Sequence, residues 1–195
     1  MPDEDWKFGY QTVLNLLGFK DKVLDFGCGS GKFSRKLAEL GMEVTGVDPT
    51  PKMIQFAKKQ EDSNIDYHCR RDLSFLPLES LDAAVSTFVF CTEHDNKKII
   101  RSCQEIYAAL KPNTPFVILD PHPNILNKEY SSGTRHLLQD RIVETKLDGM
   151  KNSFYDFHRT VEEYFVILKS CQFKIDEIRE PGRKEPEYLV IKAMK

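Results

Sequence analysis

The chain has 195 residues, 41% hydrophobic and 30% charged, which fits one globular domain with a sizeable core. Its net charge of -2 gives no general attraction to nucleic acid or to an anionic membrane, and no stretch reaches the roughly 20 apolar residues that span a bilayer. An acidic start, Met1-Pro2-Asp3-Glu4-Asp5, and five scattered cysteines without C-x-x-C predict a cytoplasmic protein with reduced thiols, with neither a signal peptide, a zinc centre nor a disulfide frame.

Residues 4–18 place Phe8, Val13, Leu14, Leu16 and Leu17 at helical spacing, which predicts a short N-terminal helix (within 1–20) ahead of the first strand. That strand, 22–26, ends in Asp25-Phe26 and enters a turn with alternating glycines, Gly27, Gly29 and Gly31. A helix follows, with Phe33, Leu37 and Leu40 on one face and Gly41 at its C-terminal cap. Residues 43–48 form a second strand ending in Asp48, and Thr50-Pro51 opens a helix to about residue 60. Strand three is 65–69, followed by Arg70-Arg71-Asp72-Leu73, and strand four is 81–88.

Asp95 caps a helix through residue 110, and strand five is 115–120. The regular alternation stops there, and residues 121–159 show little periodicity. It resumes at Thr160-Val161-Glu162-Glu163, a capping box. Two closing strands, 173–178 and 187–194, have no helix between them and are expected to pair antiparallel. The expected fold is α/β: one Rossmann-like, doubly wound domain over 1–195, with a mostly parallel sheet.

Ligands of such sheets bind beyond the carboxyl ends of the strands. Here those ends carry Asp25, Asp48, Asp72, Thr87 and Asp120-Pro121-His122. Asp48 follows the glycines at close to the spacing at which a second-strand acid accepts hydrogen bonds from ribose hydroxyls. Asp72 is placed to accept from an adenine amino group while Leu73 packs on the ring. Asp25 suits a cationic group better than a phosphate. A dinucleotide turn wants glycine at the sixth position of G-x-G-x-x-G, which is Lys32 here, so a nicotinamide dinucleotide is disfavoured.

With these residues, nearly the whole chain resembles the class I S-adenosylmethionine-dependent methyltransferases. The stretch from Val23 to Gly31 is similar to that family's first motif, 44–48 to its ribose-binding strand, and Arg71-Asp72-Leu73 to its adenine-side acid. Ala109-Leu110-Lys111-Pro112 is similar to the stretch before its strand five. The resemblance implies seven strands in the order three-two-one-four-five-seven-six, with strand seven antiparallel. The string 157–164 and Arg179-Glu180-Pro181 resemble the small-molecule branch related to ubiquinone and menaquinone biosynthesis. One position departs: Gln172 stands where relatives often have glycine ahead of strand six, which bears on that helix end and not on the cofactor site.

The resemblance implies S-adenosyl-L-methionine as cofactor and S-adenosyl-L-homocysteine as product. Gly27, Gly29 and Gly31 would admit the methionine portion close to backbone, Asp25 would balance its ammonium, Asp48 would take the ribose, and Asp72 the adenine side. It implies methyl transfer to a small-molecule O, N or C acceptor. The alternative is a cofactor-binding sensor or partner subunit that has lost catalysis. A base is needed only where the acceptor loses a proton, and the candidates are His122 and His158.

No nucleic-acid or membrane partner is expected. Glu93-His94-Asp95 reads as a helix start and not a metal site. Cys91 is expected to be a packed thiol, since Phe90 stands where cytosine-C5 methyltransferases have proline. Trp6 and Tyr10 are expected to pack, with Tyr10 able to contact the ligand. Segment 121–159 is too long for a simple connection and is expected to cover the acceptor as a lid with the N-terminal helix. Its Tyr130, Arg135, His136, Phe154, Tyr155, Phe157 and Arg159 suit a planar or anionic molecule.

Overall fold

The structure is a computed structural model that describes residues 5–60, 64–123, 129–130, 133–138, 141–147, 153–182 and 185–195. In chain order its first half runs α1 (Asp5–Leu17), β1 (Lys22–Phe26), α2 (Lys32–Glu39), β2 (Glu43–Asp48), α3 (Pro51–Lys58), β3 (Ile65–Cys69) and β4 (Ala83–Thr87). A 3-10 turn, Phe90–Thr92, leads to α4 (Asn96–Ala109) and β5 (Pro115–Pro121). Four short strands follow, β6 (Glu129–Tyr130), β7 (Gly133–Leu137), β8 (Ile142–Leu147) and β9 (Phe154–Phe157). The chain closes with α5 (Val161–Ser170), β10 (Lys174–Arg179) and β11 (Tyr188–Met194).

Seven strands form one sheet in the order β3-β2-β1-β4-β5-β11-β10. Pairs β1–β2, β2–β3, β1–β4 and β4–β5 are parallel, and β11 is antiparallel to both β5 and β10. This is the expected topology. Central strands read as unbroken apolar runs because both faces are covered. On one face Leu24, Phe116 and Ile118 pack with Ile106 of α4 and Leu168 of α5. On the other, Val23, Val85 and Val117 pack with Val13 of α1 and Phe33 and Leu37 of α2. Among the described residues, no helix is long and apolar enough to cross a membrane.

Two helix ends show the same chain reversal built from different residues. After α2, Gly41 (φ +87°) donates its N–H to Ala38 O and Met42 donates to Leu37 O. After α5, Gln172 (φ +70°) donates to Lys169 O and Phe173 to Leu168 O. Both are Schellman motifs, which call for a left-handed residue that glycine adopts at least cost. Gln172 occupies that position with a side chain.

Segment 121–159 is more regular than its sequence suggested. Strands β6 to β9 make a second, antiparallel sheet in simple succession. Val143, Thr145 and Asp156 are buried on one of its faces, while Tyr155 is 58% exposed and Ile142 36% exposed on the other. Strand β9 packs against the Phe90–Thr92 turn.

Candidate functional site

At the end of β1 the N–H groups of Gly27 and Cys28 both donate to Val47 O of β2, at 2.7 and 3.0 Å, so the glycine turn is pinned to the neighbouring strand. Its three glycines have different tasks. A Cβ on Gly27 (φ +76°) would lie 2.2 Å from Val89 Cγ2, and one on Gly31 (φ +76°) would lie 2.1 Å from the Tyr67 hydroxyl. Those two are held bare by the protein's own packing. A Cβ on Gly29 (φ +53°) would meet nothing within 4 Å, so the bare backbone there faces open space.

Asp25 is fully buried under this turn. Its Oδ2 accepts from the Ser34 hydroxyl at 2.6 Å, whereas Oδ1 is buried without a hydrogen-bond partner. Burial pushes the Asp25 carboxyl up to about 6, against the lowering pull of Ser34 and with Asp48 adding to the rise. Asp48 is half-buried, and its two oxygens accept from Gly29 N–H at 3.1 Å and Thr50 N–H at 2.8 Å. It therefore straps the glycine turn to the start of α3. Asp72 is held by Ser74 and Arg70, all on Oδ1, and these contacts keep its carboxyl below the usual range.

These strand ends border a cleft of about 710 Å³. Phe26, Gly27, Val47 and Pro49 line it from β1 and β2, Asp72 from beyond β3, and Val89, Phe90 and Glu93 from the turn after β4. The far wall is α4, through Lys98, Arg101, Ser102 and Glu105. Glu105 crosses the floor: its Oε2 accepts from Leu73 N–H at 3.0 Å and its Oε1 from Arg101 Nε at 3.1 Å. The sequence reading left the α4 wall unassigned. Its signal was present as a polar stripe at 98, 101, 102 and 105, the i, i+3, i+4, i+7 face of a helix.

Leu73 is buried in the core at 4% exposure and reaches Glu105 through its backbone. Thr87 is half-buried at the end of β4, hydrogen-bonded to the Tyr10 phenol, which burial beside Asp25 pushes up. Tyr10 stacks on Phe33 at 4.6 Å, so the N-terminal helix reaches the edge of the glycine turn. Next to Thr87, Phe88 holds a left-handed backbone (φ +58°), a strained conformation for a bulky residue, with its ring against Tyr10 and Tyr188.

His122 lies past β5, 3% exposed, with Nε2 2.9 Å from Glu180 Oε1. His158 is 4% exposed beyond β9, and its backbone N–H donates to Arg141 O. Neither histidine lines the cleft. Cys91 is buried, 2% exposed, and Asp95 caps α4 through Lys97 N–H at 2.9 Å. The side chains of Trp6, Tyr130, Arg135, His136 and Phe154 lie outside the described residues.

A cationic amino-acid nucleoside fits this arrangement. The unpaired Asp25 oxygen calls for a donor that carries positive charge. Open space over Gly29 admits a ligand at backbone distance.

Comparison with known proteins agrees. The Methyltransferase domain family matches residues 23–113. A ubiquinone biosynthesis O-methyltransferase of Bradyrhizobium diazoefficiens is 34% identical over 61% of this chain and 45% of its own length, so the chain spans under half of that relative. An N-demethylindolmycin N-methyltransferase of Streptomyces griseus is 25% identical over 88% of this chain and 79% of that protein. The solved structure of 1,6-didemethyltoxoflavin-N1-methyltransferase from Burkholderia thailandensis, with S-adenosylhomocysteine bound, superimposes with a TM-score of 0.65 at 19% identity, covering 96% of this chain and 76% of that one. The sheet order, the antiparallel closing strand and the acid-flanked glycine turn agree with this match: residues 23–113 match the Methyltransferase domain family, and the chain is similar to small-molecule methyltransferases in sequence and to an S-adenosylhomocysteine-bound methyltransferase in fold.

Proposed function

We propose that the protein methylates a small molecule, held where the second sheet faces the carboxyl ends of β4 and β5. The observation that carries this reading is the cleft at the strand ends, lined by Gly27, Val47 and Asp72, next in the chain to the open backbone of Gly29 that Asp48 straps in place. The adenosine end of the donor would occupy the cleft beside Asp72, its ribose would meet Asp48, and its ammonium would meet Asp25. Bound there, S-adenosylmethionine supplies a methyl group already activated on a sulfonium. The protein's task is then alignment and exclusion of water.

Relatives that act on an oxygen and on a nitrogen both resemble the chain, and both act on small molecules by name. Residues 121–159 are proposed to cover that acceptor. For an acceptor that must lose a proton, His122, whose ring is oriented by Glu180, and His158 are the proposed bases.

The test is S-adenosylhomocysteine release from S-adenosylmethionine across a panel of small O-, N- and C-acceptors. Saturable release with at least one acceptor is expected. Tight cofactor binding with no release across the panel would contradict transfer and leave the sensor or partner-subunit reading.

A further inference from the structure

Arg159, in the link between β9 and α5, is only 2% exposed. Its guanidinium donates through Nε to Asn96 Oδ1 at 3.0 Å, through NH1 to Phe90 O at 2.6 Å, and through NH2 to Glu93 O. The same group stacks on the ring of Phe157, the last residue of β9, 4.8 Å from the centroid. One side chain is thus stacked on the second sheet and bonded to both ends of the turn after β4 and to the first residue of α4. That turn gives Phe90, Thr92 and Glu93 to the cleft wall.

The anchorage on the other side is also explicit. Arg141 stacks on the Phe157 ring at 5.0 Å and pairs with Glu163. Glu163 accepts from Thr160 N–H and so closes the capping box of α5. The Phe157 ring is therefore gripped by two guanidiniums, one tied to the cleft wall and one tied to α5. A planar fork meeting three acceptors at fixed positions is specific to arginine, because an ammonium on a flexible stem cannot reproduce it.

We propose that Arg159 is a positioning residue that couples the second sheet to the cofactor cleft. Order in β8 and β9 sets the turn that walls the cleft, and by reciprocity a filled cleft orders β8 and β9. A chain carrying the cofactor then presents a formed second sheet to the acceptor, so donor and acceptor bind with positive cooperativity. The inference rests on the reading that the adenosine end of the donor occupies the cleft.

Hydrogen–deuterium exchange of the full chain with and without S-adenosylhomocysteine tests it, alongside calorimetric affinity. In the wild type, saturating ligand is expected to slow exchange in 88–95 and also in 142–147 and 154–157. In Arg159→Lys, affinity is expected to fall about tenfold, within the usual range of coupling between sites. Protection of 88–95 should persist at saturation while that of 142–157 is lost. Asn96→Ala, at an exposed position, removes one of the three acceptors; it should show a smaller fall with the same pattern, and it carries the test if the lysine variant does not fold.

Wild-type protection confined to the cleft, or β8–β9 protection that survives in Arg159→Lys, would overturn the coupling. Ligand binding that leaves 88–95 unprotected would overturn the cleft reading, and the coupling with it.

Discussion

Asp25, proposed to meet the ammonium of the donor, carries a cost in the free protein. Its carboxyl has an ordinary value of 3.8 and is pushed up to about 6 by burial in the fold. The folded state therefore holds the proton more tightly than the unfolded chain, and stability from this group falls as pH rises from about 4 through 6. Asp25→Asn removes the buried charge and keeps an acceptor for Ser34. It is expected to raise the melting temperature of the ligand-free protein at pH 7.5, with the gain vanishing below about pH 4. The same variant should bind S-adenosylhomocysteine about 10- to 100-fold more weakly, the worth of a charge-assisted hydrogen bond. Unchanged affinity would remove Asp25 from the site.

The strand-end acids were legible in the sequence because an acid ending an apolar run has few structural reasons to be there. What each acid does inside the protein was not. Asp48 accepts one hydrogen bond on each oxygen, from the N–H groups of Gly29 and Thr50, two backbone groups brought together only by folding. The differing tasks of the glycines were hidden in the same way, since Val89 comes from the turn after β4 and Tyr67 from β3. Gly29→Ala should cost stability only about 1–2 kcal/mol for its left-handed backbone while weakening cofactor binding. Gly27→Ala should cost roughly 2–4 kcal/mol, because overpacking against Val89 adds to the backbone penalty. Thermal melts and calorimetry on the pair check this, and equal losses of stability would contradict the division of tasks.

Among the elements, those of the main sheet were readable because its strands are short apolar runs punctuated by caps and turns. Strands β1, β2 and β3 fall on the expected residues. The second sheet was not, and β8 shows why. In Ile142-Val143-Glu144-Thr145-Lys146 the buried positions are Val143 and Thr145, while the larger apolar Ile142 faces outward at 36% exposure. A buried face that is half hydroxyl, paired with Asp156 at 3.1 Å, breaks the hydrophobic alternation by which a strand is recognised. The end of α5 offers a direct test of element-level physics. Gln172 holds φ +70° in a motif that glycine fills in α2, so Gln172→Gly should stabilise by about 1 kcal/mol. That corresponds to roughly 2–4 °C in melting temperature for a chain of this size. A lower melting temperature would show that the glutamine side chain contributes more than its backbone costs.

For the whole molecule, the architecture separates the proposed donor site from the proposed acceptor site. Parallel strands β1, β2 and β4 bring Asp25, Asp48 and the glycine turn to one end of the sheet, and α4 closes the cleft opposite. The insertion between β5 and α5 builds a second sheet at that same end, bonded to the cleft wall through Arg159. The donor half was legible because its chemistry is carried by backbone turns and acids close in sequence. The proposed acceptor half was not, because its buried groups, Asp120, Asp156, His158 and Arg159, are drawn from separate elements. The most direct test of the central claim is calorimetric titration of S-adenosylhomocysteine into the wild-type chain and into Asp48→Ala. Saturable one-site binding is expected in the wild type, weakened at least about tenfold in the variant, with its circular dichroism unchanged. Absence of binding in the wild type, or equal binding in the two proteins, would contradict the account.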